Sequence, residues 1–254
     1  MAMNSIELAT PSRLSTFRAL FKADLRIQWR NRRASLMTLL VPIIILVSWT
    51  GIVAMLGGPS VMSSCITIGL IAVGLMGYAN STARAREKGI FQRLRVTPAG
   101  TFEIMASRVA VQLLQMFLMA VVLFIAAYFI DHITLSVGGY VLGTLVSVLC
   151  GAVFLALGLA LVGLVRNAET VNSISRFVYI ALVVVGAIGE LGVLGTLAKD
   201  IVLWSPYGSV KILLLAAMQP SMWDMTATYA LIASLAYCIV FSFIGIRWFK
   251  WTEN

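Results

Sequence analysis

The chain has 254 residues, 60% of them hydrophobic and 11% charged, and its mean hydropathy is +0.96. Soluble domains carry charge on about a quarter of their residues, so this composition excludes a water-soluble globule and leaves the bilayer as solvent. In lipid every backbone amide must be satisfied internally, which permits helices or a closed barrel, and the long unbroken apolar runs exclude the alternating strands of a barrel.

The chain opens with mostly polar residues and then, over residues 14–33, an amphipathic segment. At 100° per residue, Phe17, Phe21, Leu25 and Trp29 gather on one side, while Arg18, Lys22, Arg26 and Arg30 step along another arc. Such a helix is expected to lie along the membrane surface, its apolar face at the acyl boundary and its cations at anionic headgroups. A merely solvated basic start to the chain is the alternative reading. No cleavable signal pattern precedes the first apolar run, which is expected to serve as an uncleaved anchor.

A hydrocarbon core about 30 Å thick needs about 20 apolar residues of helix. On that ruler six spans are predicted, over residues 35–56, 59–79, 109–130, 137–165, 177–197 and 225–246. The first two are joined by the turn Gly57-Gly58-Pro59, which makes a tight antiparallel hairpin. Both termini then lie on one side, and every Lys and Arg except Lys199 and Lys211 falls on that side too. The positive-inside rule makes it cytoplasmic. The net charge of +9 thus reports membrane orientation, and no nucleic-acid partner is implied.

Small residues recur at Gly139, Gly143, Ser147 and Gly151 in the fourth span and at Gly186, Gly189, Gly192 and Gly195 in the fifth. Such ridges let helices approach closely, either inside the bundle or at a subunit interface. After the fifth span, residues 201–218 are apolar but broken by Ser205-Pro206 and Gly208, and they read as two short helices dipping into the outer leaflet. Cys65, Cys150 and Cys238 lie inside apolar runs without metal-ligand spacing, so they read as packing residues and no metal site is expected.

Ionisable residues at membrane depth mark ion or proton routes, and here Glu190 is the clear exception to an apolar interior. At about 1.5 Å per residue it stands about 20 Å beyond Phe177, toward the outer boundary. It is either a gate or an interfacial, hydrogen-bonded carboxylate. Gln112 and Gln115 share a face near the inner end of the third span, where they either touch substrate or bond between helices.

The loop between the second and third spans reads Arg84-Ala85-Arg86-Glu87-Lys88-Gly89-Ile90-Phe91-Gln92-Arg93-Leu94-Arg95-Val96-Thr97-Pro98-Ala99-Gly100. Ile90, Phe91 and Leu94 make an apolar patch, Arg86, Lys88, Arg93 and Arg95 surround it, and Thr97-Pro98 ends the helix. A short helix with an apolar tip and a cationic collar suits a groove in a soluble partner. An ordinary basic loop held at lipid headgroups is the competing reading.

The stretch Arg86-Glu87-Lys88-Gly89-Ile90-Phe91-Gln92-Arg93-Leu94-Arg95-Val96-Thr97-Pro98 resembles the R-E-[KR]-G-T-x-[EQ]-x-L-x-x-[ST]-P signature of type 2 ABC transporter permeases, departing at Ile90 where Thr is commoner. Weaker echoes follow in order: the N-terminal segment leading to Pro42, and Ser205-Pro206-Tyr207. The resemblance implies an all-α polytopic protein with six transmembrane helices, an amphipathic elbow helix within residues 1–34 and a permease domain over 35–254. That domain would hold a coupling loop over 80–108 and an outer re-entrant segment over 198–224. It further implies that residues 87–94 seat on an ABC ATP-binding subunit, and that the chain pairs with a second copy of itself or a homologous permease. ATP and Mg would sit on the partner subunit, with no cofactor on this chain, in the plasma or inner membrane with both termini cytoplasmic.

No G-x-x-x-x-G-K-[ST] occurs, so the chain is not expected to be an enzyme. An intramembrane protease would need a nucleophile and base at depth, whereas His132 lies beside Asp131 in a short outer loop and no catalytic residue is assigned. A secondary carrier would show midplane charges or inverted halves, and neither is visible. Sparse intramembrane charge favours a hydrophobic or amphipathic substrate such as a drug, lipid-like metabolite or peptide. Export of polysaccharide or lipid-linked glycan, and a non-transporting membrane partner of an ATPase, stay open as alternatives.

Overall fold

The computed structural model describes residues 12–30, 32–95, 100–191 and 202–249, without the side chains of 32–35, 95, 190 and 191. Among the described residues every regular element is helical. Helix α1 (Arg13–Arg30) buries no residue and packs along α7 (Thr101–Asp131). Helices α2 (Arg32–Ser48) and α3 (Thr50–Leu56) cover the first predicted span and meet at a bend of 66°. The bend has a local cause. The Ser48 hydroxyl donates to the Ile44 carbonyl at 2.7 Å and Thr50 to Val47 at 3.0 Å, and such bonds from Ser and Thr back to the preceding turn loosen and bend a helix.

Gly57, at φ +83°, turns the chain into α4 (Gly58–Ile71), with Pro59 in its first turn. This helix continues through a π-helical segment (Ala72–Ala79) into α5 (Asn80–Glu87) as one span of 30 residues. Its apolar window is 83% buried, against 17% for the fifth and sixth spans, so it forms the centre of the bundle. The π segment carries Gly74 at a tight crossing with α8 (Val137–Leu164): a Cβ on Gly158 would stand 2.5 Å from the Gly74 carbonyl oxygen. A side chain at either position would force the two helices apart.

Gly139, Gly143 and Gly151 face Met218, Phe124 and Met116, and Ser147 is fully buried, so the fourth-span ridge packs inside the subunit. In α9 (Ala168–Leu191), Gly186 faces the Tyr207 ring and Gly189 faces Val202, while Gly192 and Gly195 lie outside the described residues. Helix α10 (Pro206–Met218), capped by Ser205 accepting from Gly208 N–H at 3.1 Å, is buried against α4, α8 and α11 (Met225–Trp248). Its 13 residues span about 20 Å, short of a bilayer core. The Tyr237 hydroxyl donates to the Trp204 carbonyl at 2.6 Å and ties this segment to α11.

Among the described residues, five helices are long and apolar enough to cross a membrane, and six if the bent α2–α3 pair counts as one span. The third span begins at Thr101 and the fifth at Ala168, eight and nine residues before the sequence ruler places them. Their first two to three turns carry Glu103, Ser107 and Arg108, and Glu169 and Arg176, which hydropathy reads as loop.

Candidate functional site

The basic stretch that sequence reads as a loop folds as the end of the second span, α5, and a short helix after it, joined by one bend. Helix α5 ends at Glu87, Gly89 takes φ +63°, and α6 (Ile90–Arg95) follows at once, with Arg93 N–H donating to the Gly89 carbonyl at 3.1 Å. Glycine enters this left-handed conformation without the steric cost of a Cβ. Lys88, Gln92 and Arg93 are exposed on the outer face of the bend, together with Arg84 one turn earlier.

Phe91 corrects the sequence reading. It does not form an exposed tip: the side chain is fully buried beside Ala85 and Ile104, with Leu20, Ile90, Leu94, Met105 and Phe249 around it. Phe249 meets the ring edge-on at 5.9 Å between centroids, and the Arg108 guanidinium lies 4.7 Å from the ring centroid on its face. Five segments of the chain therefore converge on one phenyl ring. Ile90 and Leu94 are half-buried and complete the packing rather than protruding. The Arg95 side chain and residues Val96, Thr97 and Pro98 lie outside the described residues.

Arg86 likewise leaves the cationic collar. It is 4% exposed and donates through Nη1 to the Val162 carbonyl at 2.7 Å and through Nη2 to the carbonyls of Val165, at 2.7 Å, and Arg166. The last carbonyls of a helix lack intrahelical partners and form its negative pole, so the guanidinium caps the C-terminus of α8. Its neighbour Glu87 does the converse, accepting through Oε1 from the Ala168 N–H at the positive N-terminus of α9. The Arg86-Glu87 pair thus grips both helix ends that flank the turn at residues 165–167. Charge-assisted bonds of this kind contribute about 1.5–3 kcal/mol each.

Helix α1 fastens to the same end of the bundle. Asp24 accepts from the Ser107 hydroxyl at 2.7 Å, Arg13 pairs with Glu103 at 3.8 Å, and Leu20 reaches the Phe91 cluster. Phe17, Phe21 and Leu25 are half-buried, Trp29 is exposed, and Arg18, Lys22, Arg26 and Arg30 are all exposed. Gln28 donates to Gln115, which donates to the Thr38 hydroxyl at 2.8 Å, so Gln115 joins α1, α7 and α2. Gln112 differs. It is 4% exposed, its Oε1 has no hydrogen-bond partner among the described residues, and it faces Gly77 of the π segment. Glu190 occupies the last turn of α9, its side chain outside the described residues.

Sequence reasoning missed Arg108, Asp24 and Glu103. A signal existed for Arg108, since it precedes Gln112 and Gln115 at i, i+4 and i+7 on one helical face. Among the described residues, no group of three His, Cys, Asp or Glu side chains is placed to hold a metal ion.

No curated protein matches the chain. The family model described as ABC-2 type transporter matches residues 15–207, from α1 through the gripped loop to the first turn of α10. That domain is the permease part of an ABC transporter, distinct from its ATPase, and implies an ABC ATP-binding partner. With its apolar helices, this multi-pass membrane protein belongs to the ABC-2 type transporter family.

Proposed function

We propose that the chain is the membrane subunit of an ATP-driven exporter that moves an amphipathic or hydrophobic substrate out of the cytoplasm or the inner leaflet. Residues 87–94, the end of α5, the Gly89 bend and α6, act as the coupling element on the ABC ATP-binding subunit, and α1 acts as the elbow helix on the inner membrane surface. The segment 198–224 is the re-entrant outer part of a permease domain over 35–254. The basic end and both termini face the cytoplasm, in the plasma or inner membrane. Two permeases, identical or homologous, work together over two ATPase subunits that bind ATP and Mg, and this chain carries no cofactor.

The observation that supports this most is the Arg86-Glu87 grip on the ends of α8 and α9. A force applied to α6 by nucleotide-driven closure of the ATPases can shift the spans only through contacts stiff enough to bias two packings. The grip and the Phe91 cluster supply such contacts. Docking then falls to the exposed Lys88, Gln92 and Arg93 rather than to an apolar tip. Gln112, with a buried oxygen unbonded among the described residues, is the better substrate-path candidate than the bonded Gln115, and Glu190 stands as a gate candidate.

In the reconstituted complex, Lys88→Glu/Arg93→Glu is expected to lower substrate-stimulated ATP turnover by about tenfold or more, the scale of charge reversal at an interface, with insertion intact. Full stimulation in that variant would refute the docking role.

A further inference from the structure

The Gln28–Gln115–Thr38 relay floors a lateral groove between α1, α2 and α7 that the export reading does not use. Its volume is about 440 Å³, and its walls include Leu25, Trp29, Leu36, Leu39, Val111 and Leu118. That falls within the roughly 300–1,000 Å³ typical of small-molecule sites. The polar floor bonds to itself, Gln28 to Gln115 and Gln115 to Thr38 at 2.8 Å, so the walls offer an occupant apolar contact. Trp29 is 71% exposed and Leu118 49%, which leaves the groove open on its flank.

Charge along α1 identifies the occupant. Lys22, Arg26 and Arg30 follow one another at i, i+4 and i+8 on α1, on the arc next to the one that gives Leu25 and Trp29 to the groove, and all three are exposed. Among the described residues none of them is paired with a carboxylate, the ion pair present being Arg13 with Glu103. A ridge of cations beside an apolar trough fits a molecule with an anionic head and a hydrocarbon tail.

We propose that this groove binds one anionic phospholipid of the inner leaflet, an acyl chain lying between α1, α2 and α7 and its phosphate at Arg26 and Arg30. The site would make the seating of α1 depend on lipid composition. It rests on the placement of α1 at the inner membrane surface made above.

Native mass spectrometry of the full chain in detergent, titrated with phosphatidylglycerol or phosphatidylcholine, tests it. Saturable binding of one phosphatidylglycerol per chain is expected, tighter than phosphatidylcholine. Arg26→Gln/Arg30→Gln should weaken it by about tenfold or more, the scale of two cations near an anionic surface. Leu118→Trp, which fills the trough, should weaken it with all cations intact, whereas Arg84→Gln/Arg93→Gln should not. Equal binding of the two lipids, or binding indifferent to Leu118→Trp, overturns the site. Quenching of the Trp29 signal, isolated by Trp29→Phe, in vesicles of brominated phosphatidylcholine checks the placement separately. Quenching there with no phosphatidylglycerol preference in the titration sinks the site alone; no quenching sinks the placement and the site with it.

Discussion

Replacing Arg86 by Met keeps an unbranched apolar stem and removes the fork of donors. Three carbonyls, those of Val162, Val165 and Arg166, then lose a partner. The Val162 bond is buried, while the other two are partly buried, so water can replace some of what they lose. One buried charge-assisted bond at about 1.5–3 kcal/mol, plus a discounted share for the others, gives a local loss of about 2–4 kcal/mol. At about 1.4 kcal/mol per tenfold, the turn at residues 165–167 should open at least about tenfold more often. Hydrogen–deuterium exchange reads this directly, because the Val165 N–H bonds to the Leu161 carbonyl at 2.9 Å and the Val171 N–H to that of Asn167 at 3.0 Å. Exchange should accelerate across 165–171 and leave the middle of α8 unchanged. Lys at this position should rescue little, since a single ammonium cannot span three acceptors. Unchanged exchange at 165–171 in Arg86→Met would refute the grip.

Phe91→Ala should cost about 3–5 kcal/mol of stability, as deletion of a buried ring does, read as loss of thermal stability in detergent. Gln115→Leu should destabilise by about 1–2 kcal/mol by breaking a three-helix relay, whereas Gln112→Leu should be close to neutral, its oxygen having no partner among the described residues to lose. A selective fall in export by Gln112→Leu at unchanged stability would mark that residue as a substrate contact.

The spans were legible because a bilayer imposes one length and one polarity on every helix, and the loop motif was legible as a pattern. What escaped were the partners of individual side chains. Phe91 reads as an apolar tip beside its basic neighbours, and its burial comes from Leu20, Ile104 and Phe249, each remote or on another element. Arg86 reads as one more surface cation, and the carbonyls it caps lie 76 to 80 residues further on. Hydropathy began α7 eight residues late for a related reason: Glu103, Ser107 and Arg108 are polar, yet each is engaged by α1 or α6. The small-residue ridge of α8 was visible as a spacing, but only the positions of Met218, Phe124 and Met116 assign it to the interior.

The most direct measurement is photocrosslinking from position 92, whose side chain is exposed on the outer face of the α5–α6 bend. With a photoreactive residue in place of Gln92, the assembled transporter should yield an adduct with the ABC ATP-binding subunit, while the same probe at the exposed Met222, next to α11, should not. An ATPase adduct from position 222 and none from position 92 would contradict the account.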